Sequence, residues 1–204
     1  DNDGAHEEIY WAKSTGRIAR LENVMAKTPW ITFQGAAGIG HTRWATHGGV
    51  THENAHPHTD NLHDVAVVHN GIIDNADALR KKLTEEGCVF QSETDSEVIP
   101  HLIASFRRQG LNEIGAVRKA LSLLRGTYGI AVIFRGGADL IVAARNGSPI
   151  VIGIGNGENF VASDVQAIAK YTNRVIYLED GDIAAVTRYA VDVVRQSGDP
   201  ANPN

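Results

Sequence analysis

Positive charge, cysteine and long apolar runs are what this 204-residue chain has least of. Its 19 Lys and Arg face 24 Asp and Glu, a formal net charge of −5, which leaves no basic footprint for nucleic acid. Cys88 is the only cysteine. That excludes an internal disulfide framework and suits a reducing, cytoplasmic setting. Apolar runs such as residues 130–134 fall far short of the ~20 residues needed to span a bilayer, so no membrane partner is expected. Asp1 to Glu8 has neither the basic start nor the apolar middle of a secretory signal. Met25 is the only methionine, so the start at Asp1 reads as processed or trimmed.

What is present is the composition of a globular domain, 43% hydrophobic and 21% charged, with length for one sizeable core or two small ones. Residues 7–13 alternate like a short strand, and residues 16–25 carry Ile18, Leu21, Val24 and Met25 at helical spacing. Residues 38–45 are strand-like, and residues 51–62 read as a long surface loop, the kind that is often functional. Residues 65–73 form a strand broken at Asn70-Gly71. Asn75 is placed to cap a helix over 76–86 that stops at Gly87, and a short extended piece at Val89-Phe90 follows. Further helices are expected from Thr94-Asp95 to Gln109, closed by Gly110, and over 113–124. Six short strands then follow, at 129–134, 140–144, 150–154, 160–162, 175–178 and 183–187, with a helical turn near 165–170. Residues 192–204 read as a polar tail. Strands, then helices, then strands imply an α+β fold of layered antiparallel sheets.

Chemistry concentrates between His41 and Gly71, where seven of the nine histidines fall. His52, His56, His58 and His63 invite a metal reading, but no cysteine pair or carboxylate–histidine helix accompanies them. Loop histidines that hydrogen-bond are the favoured reading. Gly153-Ile-Gly-Asn-Gly157 is followed by another strand rather than a helix, so it reads as a hairpin and not a phosphate loop. Arg43 offers a planar fork for a carboxylate, with Thr46 and His47 on the same loop. Asp95 is either a helix cap or the partner of a ligand ammonium. Asn70-Gly71 is either a β-bulge or an oxyanion hole built from a side-chain amide and a backbone N–H.

Together, His41-Thr-Arg-Trp-Ala-Thr-His-Gly48, Asn54-Ala-His-Pro-His58, Val68-His-Asn-Gly-Ile-Ile73 and Ser92-Glu-Thr-Asp95 resemble the glutaminase domain of the glutamine–fructose-6-phosphate aminotransferases (glucosamine-6-phosphate synthases). Arg145-Asn-Gly-Ser-Pro149 and Phe160-Val-Ala-Ser-Asp164 extend the match, which runs from about Gly16 to Val194. The resemblance implies an N-terminal-nucleophile fold, a four-layer αββα sandwich with two stacked antiparallel sheets, of which the first strand and helix are missing here. It implies a domain over 1–194 and a polar linker over 195–204. It further implies that Asn70 and Gly71 form the oxyanion hole and that Arg43, Thr46 and His47 hold the substrate α-carboxylate. Asp95 would accept the α-amino group, His56 would border the site, and Trp44 would gate an ammonia channel.

The implied partners are L-glutamine or L-glutamate, sugar-isomerase domains further along the full-length enzyme, and a second copy in a homodimer, without cofactor or metal. Family members begin with Cys-Gly-Ile and carry an Arg-Gly-Tyr-Asp-Ser segment, neither found among these residues. Cys88 cannot replace that nucleophile, because its nitrogen is locked in a peptide bond. The polypeptide alone is therefore expected to be inactive and to self-associate through exposed sheet edges. The alternative is a module that binds glutamine or glutamate without a nucleophile.

Overall fold

The structure, a computed structural model, describes residues 8–27, 35–43 and 49–201. Within them lie four α-helices, α1 (Ile18–Ala26), α2 (Ala76–Glu85), α3 (Val98–Arg108) and α4 (Glu113–Leu121). Nine strands accompany them: β1 (His58–Thr59), β2 (Val65–Ile73), β3 (Gly126–Phe134), β4 (Ile141–Asn146), β5 (Val151–Ile154), β6 (Asn159–Ala162), β7 (Val175–Tyr177), β8 (Asp182–Val186) and β9 (Val191–Arg195). One sheet runs β1-β2-β3-β4-β8-β9 and a second runs β6-β5-β7. Every strand pairing within both is antiparallel.

Alternation along the strands separates two apolar layers. Val65, Val67, Ile130, Val132, Val142 and Ile183 face a core completed by Leu83, Ile99, Ile103, Val117 and Ala120 of the helices. The intervening Ala143, Ala184 and Val186 face the smaller sheet, against Ile150, Ile152 and Leu178. β4 and β8 are thus apolar on both faces because each face is covered. Ile99 and Ile103, four residues apart on α3, are both fully buried; each such side chain contributes about 1.5–3 kcal/mol. On the outer face of the smaller sheet a Cβ at Gly153 would lie 2.8 Å from Ile168 and 2.9 Å from Thr172. Among the described residues, that covering segment contains only a single turn of 3-10 helix, Val165–Ala167.

Several sequence expectations change. Residues 8–13 and 38–43 lie in no strand, since no partner strand adjoins them among the described residues. Ile9 is nevertheless buried, and Trp11 packs against His63 with ring centroids 4.4 Å apart. Val89-Phe90 likewise pairs with no strand. β2 is unbroken: it pairs residue for residue with β3 from Val65↔Phe134 to Ile73↔Gly126, with Gly71 opposite Tyr128. There is no bulge at Asn70-Gly71. The loop at 51–62 contains β1, whose His58 pairs with Val67.

Asn75 does not cap α2. Its amide instead donates to Leu123 O at 2.9 Å and accepts from Arg125 N at 2.8 Å, tying α2 to the end of α4. The true side-chain cap is Asn112, which accepts from Gly115 N at 2.8 Å. The helix expected over 113–124 ends at Leu121, three residues early. Residues 192–195, read as the start of a tail, belong to β9, which pairs with β8, and Ala201 N returns to Val193 O at 3.1 Å. Val191 and Val193 pack on the second layer and Val194 on the first, which outweighs the polar residues after them.

Candidate functional site

β2 delivers the central groups. By strand alternation His69 points to the helical side, where its Nδ1 meets Ser96 Oγ at 2.8 Å and its Nε2 meets Thr127 O at 3.3 Å. Asn70 points to the opposite face and its side chain is exposed. Gly71 has φ +129°, and a Cβ there would stand 2.2 Å from the carbonyl oxygen of Thr127. Only glycine fits.

Asp95 opens the 3-10 turn Asp95–Glu97 that leads into α3, with Thr94 as the N-cap residue. It is not a cap. Its Oδ2 accepts from Ile73 N at 2.7 Å, which sets a half-buried carboxylate beside the end of β2. The preceding loop is held by Glu97, only 2% exposed. Glu97 accepts from Gln91 N at 2.8 Å, Ser92 N at 2.7 Å and Ser92 Oγ at 2.6 Å. Burial alone would push its carboxyl up, but the nearby His101 ring, 3.8 Å away, and the hydrogen bonds from Gln91 and Ser92 outweigh that and bring it down to about 2. Arg80 grips the same loop through Ser92 O and Thr94 O.

Arg43 donates through Nη1 to Gly49 O at 2.8 Å. Asn54, 2% exposed, donates to the same oxygen at 3.1 Å and accepts from Glu93 N at 2.9 Å. One buried amide thereby links the arginine's loop to the loop that carries Asp95. A second link is a column of imidazoles. His41 Nε2 lies 2.8 Å from Asn70 Oδ1. Its ring sits 4.1 Å from that of His56, and His56 4.6 Å from His58. His58 Nε2 ends the column 3.1 Å from Thr94 Oγ1.

Burial keeps these rings neutral. It lowers His41, with the nearby Arg43 adding to the effect and the Asn70 contact opposing it. It lowers His56 strongly, helped by its two histidine neighbours. His58 falls to about 3, by burial first and then by Lys13. Lys13 is itself lowered by burial, against the pull of Glu97 and Glu53.

Asn70, Gly71, Asp95, Arg43 and His56 are therefore joined in one connected set of contacts. Trp44, Thr46 and His47 lie outside the described residues. Sequence reasoning weighed His58 only as a metal ligand, gave Asn54 no role beyond its motif and did not single out Glu97. The burial of all three is invisible at that level. Among the described residues no group of three or more His, Cys, Asp and Glu side chains is arranged to hold a metal. His63 is spent on Thr59 Oγ1 at 3.0 Å.

Stacked antiparallel sheets with helices packed on one of them are the architecture of the N-terminal-nucleophile amidotransferases. The glutamine phosphoribosylpyrophosphate amidotransferase of B. subtilis, solved with ADP and GMP, superposes with a TM-score of 0.63 at 27% identity, over 78% of this chain and 35% of that one. A structure described as the allosteric regulatory enzyme of purine biosynthesis gives 0.63 at 28% identity, over 76% of this chain and 34% of that one. The model of the glutamine amidotransferase domain family matches residues 41–170, and the chain belongs to that family. Glutamine–fructose-6-phosphate aminotransferase (isomerizing) of Symbiobacterium thermophilum is 50% identical over 94% of this chain, and that of Bartonella quintana 46% over 94%. The chain spans 30% and 31% of those two relatives' lengths.

Proposed function

We propose that the chain is the glutamine-hydrolysing, ammonia-supplying domain of a glutamine–fructose-6-phosphate aminotransferase, whose product is glucosamine 6-phosphate. The fold class and the relatives' 44–50% identity support the assignment. The observation that carries it is the bond from Ile73 N to Asp95 Oδ2, 2.7 Å, which sets an anionic group two residues past an Asn-Gly donor pair.

In this reading Asp95 takes the α-ammonium of glutamine through its other oxygen, and Arg43, with Thr46 and His47, takes the α-carboxylate. Asn70 Nδ2 and Gly71 N–H stabilise the oxyanion formed when a nucleophile attacks the side-chain amide. The nucleophile is an N-terminal cysteine activated by its own α-amino group, supplied by a segment upstream of Asp1. His56 borders the pocket and Trp44 gates the passage of ammonia. The sugar-isomerase domains that consume the ammonia, a homodimeric assembly and a cytoplasmic location belong to the same proposal.

Titration with L-glutamate tests the site directly. We expect chemical-shift changes at the Gly71 and Ile73 amides, which need about 10- to 100-fold more L-glutamate in Asp95→Asn and are much weaker with glutarate, which lacks the ammonium. Equal binding of glutarate and L-glutamate would remove the amino-acid site from this cleft.

A further inference from the structure

An asparagine can serve an oxyanion only if its amide nitrogen, and not its oxygen, faces the reacting carbonyl. The two ends of the amide are nearly equal in shape, so something else must decide the orientation. Asn70 is exposed and, among the described residues, the one hydrogen bond made by its side chain is the 2.8 Å contact between Oδ1 and His41 Nε2. Oδ1 is an acceptor only, so the proton of that bond comes from Nε2.

A neutral imidazole has a single N–H. The carbonyl of His69 is a second acceptor beside the His41 ring, but Nδ1 makes no bond of normal geometry among the described residues. The proton therefore resides on Nε2. The ring is packed in place, with His56 tilted against it at 4.1 Å and His58 edge-on to His56 at 4.6 Å. His58 is 3% exposed and is held by Thr94.

We infer that His41 is a positioning residue: its Nε2–H holds Oδ1 of Asn70 and so turns the Asn70 amide nitrogen toward the developing oxyanion. His41 touches no substrate atom, and it acts entirely through Asn70. The opposite tautomer, with its proton on Nδ1 for the His69 carbonyl, would accept from Nδ2 and present Oδ1 to the oxyanion, which would repel it. The inference rests on the proposed role of Asn70, and the test separates the two.

In the full-length aminotransferase that carries this domain, glutamine hydrolysis is measured for His41→Leu, His41→Gln, Asn70→Ala and the double variant His41→Leu/Asn70→Ala. Asn70→Ala is expected to lower kcat by about 100- to 1000-fold. His41→Leu should lower kcat by at least about tenfold while the KM for glutamine moves less than about threefold, because an oxyanion donor acts in the transition state. The double variant should be no slower than Asn70→Ala. His41→Gln, which keeps an N–H donor, should recover most of the rate.

An unchanged kcat in Asn70→Ala overturns the function assigned to Asn70, and this inference with it. A full effect of Asn70→Ala beside a normal His41→Leu, or multiplicative losses in the double variant, overturns the inference alone. Nitrogen-15 shifts of the wild-type protein give a check that needs no variant. Protonated Nε2 with bare Nδ1 on His41 is the expected result, and the reverse tautomer overturns the inference even if His41→Leu fails to fold.

Discussion

At Gly71 one hydrogen atom in place of a side chain decides how closely two strands can pair. With φ +129° and the Thr127 carbonyl 2.2 Å from any Cβ, Gly71→Ala must push β2 away from β3. Backbone strain alone is worth about 1–3 kcal/mol, so denaturant melts should show at least that loss, together with loss of glutamine turnover. Asp95 behaves differently, because one oxygen accepts from Ile73 N and, in the proposed site, the other takes the ligand ammonium. Asp95→Asn keeps an oxygen for Ile73 N but removes the charge. Stability should change little while the Kd for L-glutamate, read by calorimetry, rises about 10- to 100-fold, the usual value of a hydrogen bond to a charged group. Cys88 is a packing residue. Its N–H donates to Leu83 O at 2.9 Å, and burial raises its thiol. Cys88→Ala should therefore leave glutamine hydrolysis by the full-length enzyme unchanged.

Between elements, two asparagines of identical chemistry play different parts. Asn112 truly caps α4, and Asn112→Ala should cost about 1 kcal/mol in a chemical melt. Asn75 holds the α4–β3 connection by both ends of its amide. The loop at 91–94 depends in the same way on Glu97, one turn away on the 3-10 segment. Its carboxyl lies well below the ordinary carboxylate value of about 4.3. The stability this adds is complete above about pH 4.3 and is lost as pH falls through about 2, because the unfolded chain takes up the proton first. Near-neutral assays therefore find the Asp95 loop fully braced.

Across the whole molecule the buried histidines set the acid limit. His58 ionises at about 3 when folded and near 6.5 when unfolded. Between those values the unfolded chain binds the extra proton, so stability falls as pH falls, by about 1.4 kcal/mol per pH unit for this one group. His41, His56 and His69 are lowered in the same direction and steepen the decline. Melting points taken from pH 7 to pH 4 should drop continuously, and a flat profile would mean that these rings are solvated rather than packed.

By itself the sequence determined the α+β class, most strand and helix positions after residue 65 and the hairpin at Gly155, where Gly155 N meets Glu158 O at 3.0 Å. Those follow from local periodicity and turn chemistry, whereas the candidate site residues were named only by the family resemblance. The tertiary structure alone decided that Asn70-Gly71 keeps its register, that Asn75 straps instead of caps, and that the run after Val191 is a strand. It also decided that Asn54 and Glu97 are buried braces and that three histidines form a column behind Asn70. Each of those outcomes depends on a partner at least five residues away in sequence. Periodicity shows which way a side chain points, but folding alone decides what it meets.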